Sequence, residues 1–244
     1  MNVPPAEPLR IAVSDTQSVS GLLQAPQNAW AGYVLAHGAG AGMTHSFLAA
    51  MADGLAARGV ATLRYQFVYM EQGSKRPDAP KLAQAAVRAA VDEARRRLPG
   101  VSLFAGGKSF GGRMTSQAQA ASRLPGVRGL VFLGFPLHPA GKPSTERAKH
   151  LGEIDIPLLF LQGTRDQLAE LSLLEPLARE LGGRATLKLF QEADHSFHVS
   201  KRSGRNDSAV RVELLDGMAT WMRTLVEQDG GERSFPDANA AGRG

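Results

Sequence analysis

Ser109 stands in a five-residue pattern with recognisable chemistry. Residues 107–111 (GKSFG) fit G-x-S-x-G, between the apolar run 101–105 and a stretch of helical character, 114–123. In this pattern the serine sits on a sharp strand-to-helix turn, where a strained backbone exposes its hydroxyl and small neighbours let strand and helix approach. Ser109 is therefore the candidate nucleophile, provided that the chain also supplies a base, an acid and two oxyanion donors.

Two other interpretations compete for these residues. Gly107-Lys108-Ser109 resembles the end of a phosphate-binding G-x-x-x-x-G-K-[ST] loop, but Ser102, inside the predicted strand, occupies the position of the first glycine. The second interpretation is a glycine-rich turn with an idle serine, which a five-residue match does not exclude. The choice depends on the residues at the ends of the other predicted strands.

Two polar residues downstream also come directly after predicted strands. The strand 156–162 leads into GTRD, which ends at Asp166, and the strand 185–190 leads into QEADH, which ends at His195. A serine hydroxyl is a poor nucleophile, so a neutral imidazole must accept its proton while a carboxylate orients that imidazole. The chain order Ser, Asp, His is one of the known orders of such a triad, and it predicts that Ser109, Asp166 and His195 act together.

Other roles remain open for these residues. Asp166 could cap a helix predicted over 167–181, and Glu192 and Asp194 are alternative carboxylates, although Asp194 adjoins His195 and its side chain should point elsewhere. A metal pair of His195 and His198 lacks an evident third ligand, so no metal site is predicted.

A glycine-rich turn, HGAGAG at 37–42, comes after the predicted strand 32–36. Such a turn can aim a backbone N–H at a developing oxyanion, and the N–H after the nucleophile supplies a second donor. We assign these donors to Ala39, with Gly40 as the second choice, and to Phe110. His37 is expected to be a structural hydrogen-bonding residue, and Lys108 a surface lysine.

From residue 32 onward, apolar strand patterns alternate with helical patterns. This alternation predicts an α/β fold with a mostly parallel central sheet and helices on both faces, in which sites lie at the carboxyl ends of strands. Two short edge strands are expected at 11–13 and 21–24. The predicted domain spans 10–227, between a loose N-terminus, 1–9, and a disordered tail, 228–244.

Composition narrows the function classes. The chain has no cysteine, which excludes thiol chemistry and fits a reducing compartment, and neither a signal peptide nor a membrane span is evident, so we expect a cytoplasmic protein. The net charge of +5 comes from basic residues scattered among acids, which indicates a solvated surface rather than a nucleic-acid interface. No cofactor is predicted, and the sequence does not indicate the oligomeric state.

The motifs HGAGAG, GGKSFGGR and GTRD…ADHSF together resemble those of the α/β-hydrolase superfamily, on its dienelactone-hydrolase-like side. The stretches FPLHP with GKP (135–143) and HSFH to KRSG (195–204) look closest to small α/β-hydrolases related to a testis-expressed protein and to a scaffold subunit of a chromatin-acetylating complex. The resemblance covers about residues 10–226 and implies the Ser109–Asp166–His195 triad. The segment YQFVY (65–69) departs from it, standing where Asn and Pro are expected.

The first hypothesis is a serine hydrolase that cleaves small-molecule carboxylic esters or thioesters through an acyl-enzyme. The segment 135–153 is too short for a large lid, which predicts an open or shallow pocket. A basic segment containing Lys201, Arg202 and Arg205 could form a rim for acidic substrates, although a solvated loop is the simpler interpretation. The alternative is a catalytically silent domain used for protein binding, as the resemblance implies for some members.

Overall fold

The computed structural model describes residues 3–232, and it has eight strands in one sheet. The strands are β1 (Glu7–Ala12), β2 (Ser18–Gln24), β3 (Ala31–Ala36), β4 (Val60–Tyr65), β5 (Ser102–Lys108), β6 (Val127–Leu133), β7 (Leu158–Gly163) and β8 (Ala185–Phe190). Their order across the sheet is β1-β2-β4-β3-β5-β6-β7-β8. The β1–β2 and β2–β4 pairs are antiparallel and all later pairs are parallel, which confirms a mostly parallel sheet.

Six α-helices pack on the two faces of this sheet. They are α1 (Ser46–Ala56), α2 (Val68–Glu71), α3 (Pro80–Arg97), α4 (Phe110–Ala121), α5 (Leu171–Glu180) and α6 (Asp207–Glu232). Apolar residues of α1 and α6 form one buried cluster with one face of the sheet, while those of α2 to α5 form a second cluster with the other face. Strands β3 and β4 are buried at every position, as expected for central strands covered on both sides.

Several predicted boundaries were wrong, for physical reasons. Strand β1 begins at Glu7, inside the predicted loose N-terminus, because pairing with β2 buries Leu9 and orders the residues before it. Helix α6 continues to Glu232, past the predicted start of the tail at 228, although Gly230 and Gly231 are weak helix formers. The rest of that predicted tail, 233–244, lies outside the described residues.

Two loops also differ from expectation. Helix α5 begins at Leu171 rather than 167, because residues after β7 first form a turn around Asp166. The segment 135–153, expected to be a loop too short for a large lid, ends in a 3-10 helix, Glu146–Glu153, whose Ala148 and Leu151 are buried in the larger cluster.

Candidate active site

Ser109 occupies the turn between β5 and α4, with φ 50° and ψ −115°. A non-glycine residue in this backbone region is strained by roughly 1–3 kcal/mol, and such strain concentrates at functional sites. Close approach explains the flanking glycines: a Cβ at Gly107 would lie 2.3 Å from the Ala36 carbonyl oxygen, and one at Gly111 would lie 2.6 Å from that of His37. The G-x-S-x-G pattern is thus required by the crossing of strand and helix.

The imidazole of His195 faces the Ser109 hydroxyl. Its Nε2 lies 2.9 Å from Ser109 Oγ, and its Nδ1 lies 2.6 Å from Asp166 Oδ2. Because a carboxylate accepts at Nδ1, the network assigns the proton to Nδ1 and leaves Nε2 free to accept the hydroxyl proton. The structure therefore brings together the three side chains that the sequence singled out, each at the carboxyl end of a different parallel strand.

Asp166 is buried and fully engaged by hydrogen bonds. Its side chain is 0% exposed. Oδ1 accepts the Leu168 N–H at 2.8 Å, while Oδ2 accepts from the Gln162 side-chain amide as well as from the imidazole. These donors stabilise the ionised carboxylate in a buried position. Asp166 is not the cap of a helix starting at 167, and Gln162 is a supporting residue that its sequence context did not reveal.

The alternative carboxylates and the second histidine point away from the imidazole. Asp194 Oδ1 accepts the backbone N–H of Ser196 at 2.8 Å and of His198 at 2.9 Å, which shapes the loop carrying His195. Glu192 is exposed and lies 3.4 Å from Arg165. The His198 ring pairs with Asp207 at 2.7 Å rather than with His195.

Within the described part of the chain, the glycine-rich turn has one N–H held by a tyrosine and one without a protein acceptor. The Gly40 N–H donates to the Tyr69 hydroxyl at 2.9 Å, so it is engaged and does not serve as the second-choice donor. Among residues 3–232, the N–H groups of Ala39 and Phe110 donate to no protein acceptor. Ala39 lines the same cavity as Ser109, and both N–H groups remain candidates for the oxyanion donors. Tyr69 belongs to the segment that departs from the family pattern, and its contribution to this turn was not predicted.

His37 anchors the turn from below. It is fully buried; its Nδ1–H donates to the Gly38 carbonyl at 2.7 Å, and its Nε2 accepts the Phe67 N–H at 3.1 Å. Burial lowers the pKa of His37 to about 4, so the ring is neutral at neutral pH. These contacts fit the expected structural role.

Lys108 is not the surface lysine that its sequence context predicted. Its ammonium group donates to the His195 carbonyl oxygen and lies 5.6 Å from the centre of the Phe197 ring. Burial lowers the pKa of Lys108 to about 8, with the nearby carboxylates of Asp166 and Asp194 acting in the opposite direction. The prediction failed because the loop after β8 folds back over the end of β5 and partly covers the lysine, which also lines the cavity.

A cavity of about 760 Å³ opens in front of Ser109. Its apolar wall comes from the beginning of α1, the His195 loop and α6, where the Phe47 and Phe197 rings stack with centres 6.0 Å apart. Arg211 also lines it, whereas the basic segment 201–205 does not, and Arg205 instead pairs with Glu213 at 2.6 Å.

Residues 3–232 contain neither a helix suited to crossing a membrane nor a side-chain cluster suited to a metal ion. No described helix combines the length and the apolar character that crossing a membrane requires. Within the same residues, no three side chains of the metal-binding types His, Cys, Asp and Glu are grouped where they could hold an ion.

Known proteins share this fold. A family model described as an alpha/beta hydrolase domain matches residues 30–223. A dienelactone hydrolase from Anabaena variabilis has a similar structure, with a TM-score of 0.73 and 19% identity over 91% of this chain and 99% of that one. An α/β serine hydrolase without a lid from Xanthomonas campestris gives 0.68 and 18%, over 89% and 95%. Est1E from Butyrivibrio proteoclasticus with bound ferulic acid gives 0.66 and 18%, over 86% and 99%. These matches concern the superfamily, and the narrower resemblance to testis-expressed and scaffold proteins stays a prediction.

Proposed function

The chain belongs to the alpha/beta hydrolase family, and from that premise we propose that it is a serine hydrolase of carboxylic esters or thioesters. One observation carries the proposal: Ser109 Oγ, the His195 ring and Asp166 form a continuous chain of hydrogen bonds of 2.9 Å and 2.6 Å. An idle serine needs neither of these partners. This arrangement is the one that nucleophilic catalysis by serine requires.

In the first half of the reaction, Ser109 Oγ attacks the substrate carbonyl carbon while its proton passes to His195 Nε2. The carbonyl oxygen becomes an oxyanion that accepts hydrogen bonds from the Ala39 and Phe110 N–H groups. Removing one such donor typically costs about 3 kcal/mol of transition-state stabilisation. Asp166 stabilises the imidazolium, which then protonates the leaving alkoxide or thiolate as the carbon–oxygen or carbon–sulfur bond breaks.

In the second half, water attacks the Ser109 acyl-enzyme. His195 Nε2 accepts the proton from this water, and a second oxyanion forms at the same donors. Collapse of this intermediate returns the proton to Ser109 Oγ and releases the carboxylic acid. The residues described suffice for this cycle.

The shape of the site indicates the size of the acyl group. The segment 135–153 packs its buried residues into the core on the α2–α5 face, whereas the cavity wall comes from α1, α6 and the His195 loop. We therefore expect small or accessible acyl groups rather than long chains enclosed under a lid. The ferulic acid bound by Est1E and the lidless serine hydrolase from Xanthomonas campestris are consistent with this class.

The test is labelling with a fluorophosphonate probe, comparing the wild type with Ser109→Ala. We expect labelling that depends on Ser109, and turnover of p-nitrophenyl esters that is fastest for short acyl chains. Ser14→Ala, in the exposed loop between β1 and β2, is a matched control that should label like the wild type. Labelling that survives Ser109→Ala, or no labelling at all, would contradict the proposal and favour the silent, protein-binding alternative.

A further inference from the structure

We propose that Lys108 is a positioning residue whose half-buried ammonium group holds the His195 backbone and so fixes the imidazole against Ser109. The inference rests on the proposed function, since it concerns how the base of that reaction is held. Lys108 touches neither the reacting atoms nor the imidazole nitrogens, and it acts through the loop that carries His195.

The first observation is how the loop after β8 is held. Around His195, backbone hydrogen bonds and the Asp194 carboxylate tie the chain together: the Asp194 N–H donates to the His198 carbonyl at 3.0 Å, and Ala193 pairs with Val199. His195 itself lies at the tip of this turn. Among the described residues, the Lys108 ammonium group is the only hydrogen-bond donor to the His195 carbonyl oxygen.

The second observation is that the proposed nucleophile, Ser109, and the lysine that contacts the His195 loop are adjacent residues at the end of β5. Ser109 and Lys108 both line the cavity. The Ser109 hydroxyl faces the imidazole, while the Lys108 ammonium group reaches the His195 carbonyl oxygen. Gly134, directly after β6, provides the space for this contact because it has no side chain. A Cβ there would lie 3.0 Å from Lys108 Nζ and 3.4 Å from His195 Cε1. One strand end therefore fixes the nucleophile and, through Lys108, the position of its base.

The third observation is the charge itself. The ammonium group lies against the Phe197 ring and the His195 carbonyl oxygen, and no carboxylate forms an ion pair with it among the described residues. Asp166 and Asp194 are near enough to attract it, but both Asp166 oxygens and Asp194 Oδ1 accept hydrogen bonds from other donors. A purely space-filling role would be served better by an apolar side chain, because burying a charge is costly.

The experiment compares Lys108→Met, which keeps the length and loses the donor, with Lys108→Arg, which keeps a cationic donor. With a short p-nitrophenyl ester, we expect Lys108→Met to lower kcat about 10- to 100-fold, with KM changed less than about twofold, since orientation of the base and not binding is lost. Lys108→Arg should recover part of kcat. Lys188→Met is the matched control, because Lys188 also donates to a backbone carbonyl and lies 5.8 Å from the centre of a phenylalanine ring, but does not line the cavity.

A second measurement does not need activity. The His195 Nδ1–H, hydrogen-bonded to Asp166, should give a low-field proton resonance that Asp166→Asn removes. In Lys108→Met this resonance should broaden or split as the ring samples several positions, while Lys188→Met leaves it unchanged. An unaltered resonance together with wild-type kcat would overturn the inference. A wild type that shows no Ser109-dependent labelling would instead overturn the proposed function. The comparison of the Nδ1–H resonance between the wild type and Lys108→Met would still decide the role of Lys108.

Discussion

Replacing Lys108 by methionine should make the protein more stable at neutral pH even though it impairs catalysis. Burial lowers the pKa of Lys108 from 10.5 to about 8. The folded protein therefore releases this proton at a lower pH than the unfolded chain, and between these two values the unfolded chain binds more protons. Wild-type stability must accordingly rise with pH through this window, because stability increases wherever the unfolded state holds the extra proton.

The magnitude comes from the same two pKa values. Each pKa unit corresponds to about 1.4 kcal/mol, so the lowered pKa destabilises the folded state by about 3 kcal/mol at pH 7, where Lys108 is charged in both states. At pH 9.5, where the folded protein has released the proton and most of the unfolded chain has not, the destabilisation is about 1.4 kcal/mol. Lys108→Met removes that cost but leaves the His195 carbonyl without its donor, a loss of about 1 kcal/mol. We expect a gain of roughly 2 kcal/mol at pH 7 that largely vanishes by about pH 9.5.

Urea unfolding of both proteins at the two pH values measures this difference. The comparison cancels the titration of all groups that the two proteins share, so the pH dependence of the difference reports Lys108 alone. Lys188→Met provides the control for losing a lysine as such. A stability difference that is the same at both pH values would refute the reasoning, because it would mean that the Lys108 ammonium group is not held in an unfavourable environment.

Three further predictions concern the site and its support. Asp166→Asn should lower kcat/KM by about 10³- to 10⁴-fold with the fold retained by circular dichroism, because an amide that donates to the imidazole stabilises the wrong tautomer; a loss under tenfold would exclude Asp166 as the orienting group. Gly111→Ala should lower the free energy of unfolding, measured with urea, by about 3 kcal/mol or more, because the new Cβ would lie 2.6 Å from the His37 carbonyl oxygen. The control Gly152→Ala, whose Cβ would meet no atom within 4 Å, should cost less than about 0.5 kcal/mol. Burial, with Arg113 nearby, lowers the pKa of His150 to about 4, so wild-type stability should fall as the pH drops from 6.5 toward 4. His150→Asn should reduce the stability lost between pH 7 and 5 by about 1–2 kcal/mol in urea unfolding. The same loss of stability in the variant and the wild type would contradict this prediction.

The parts of the site that come directly after apolar strands could be predicted from the sequence. Buried parallel strands are near-continuous apolar runs, so their ends were identifiable, and the polar residues beyond them meet at one edge of the sheet. This is why Ser109, Asp166 and His195 were found before their distances were known. The glycine-rich turn was identifiable for the same reason.

The features that escaped prediction depend on contacts between distant segments. Nothing in the sequence shows that the loop after β8 partly covers Lys108, or that Tyr69 reaches across to the Gly40 N–H. Gln162 reads as an ordinary end of an apolar strand, although its amide contacts Asp166. The departure of residues 65–69 from the family pattern indicates that this segment differs from its relatives. It does not predict that the Tyr69 hydroxyl accepts the Gly40 N–H.

The division of the interior into two apolar layers bears on how the site can evolve. The apolar side chains that wall the cavity, such as Phe47, Phe197 and Leu214, belong to or pack against the cluster on the α1 and α6 face. The helix after Ser109 packs mainly in the other cluster. Substitutions in the layer of α1 and α6 can therefore change selectivity while the packing of the helix after Ser109, which lies in the other layer, is left unchanged. For directed evolution, a library confined to α1 and the start of α6 should change which esters are accepted while sparing the elbow.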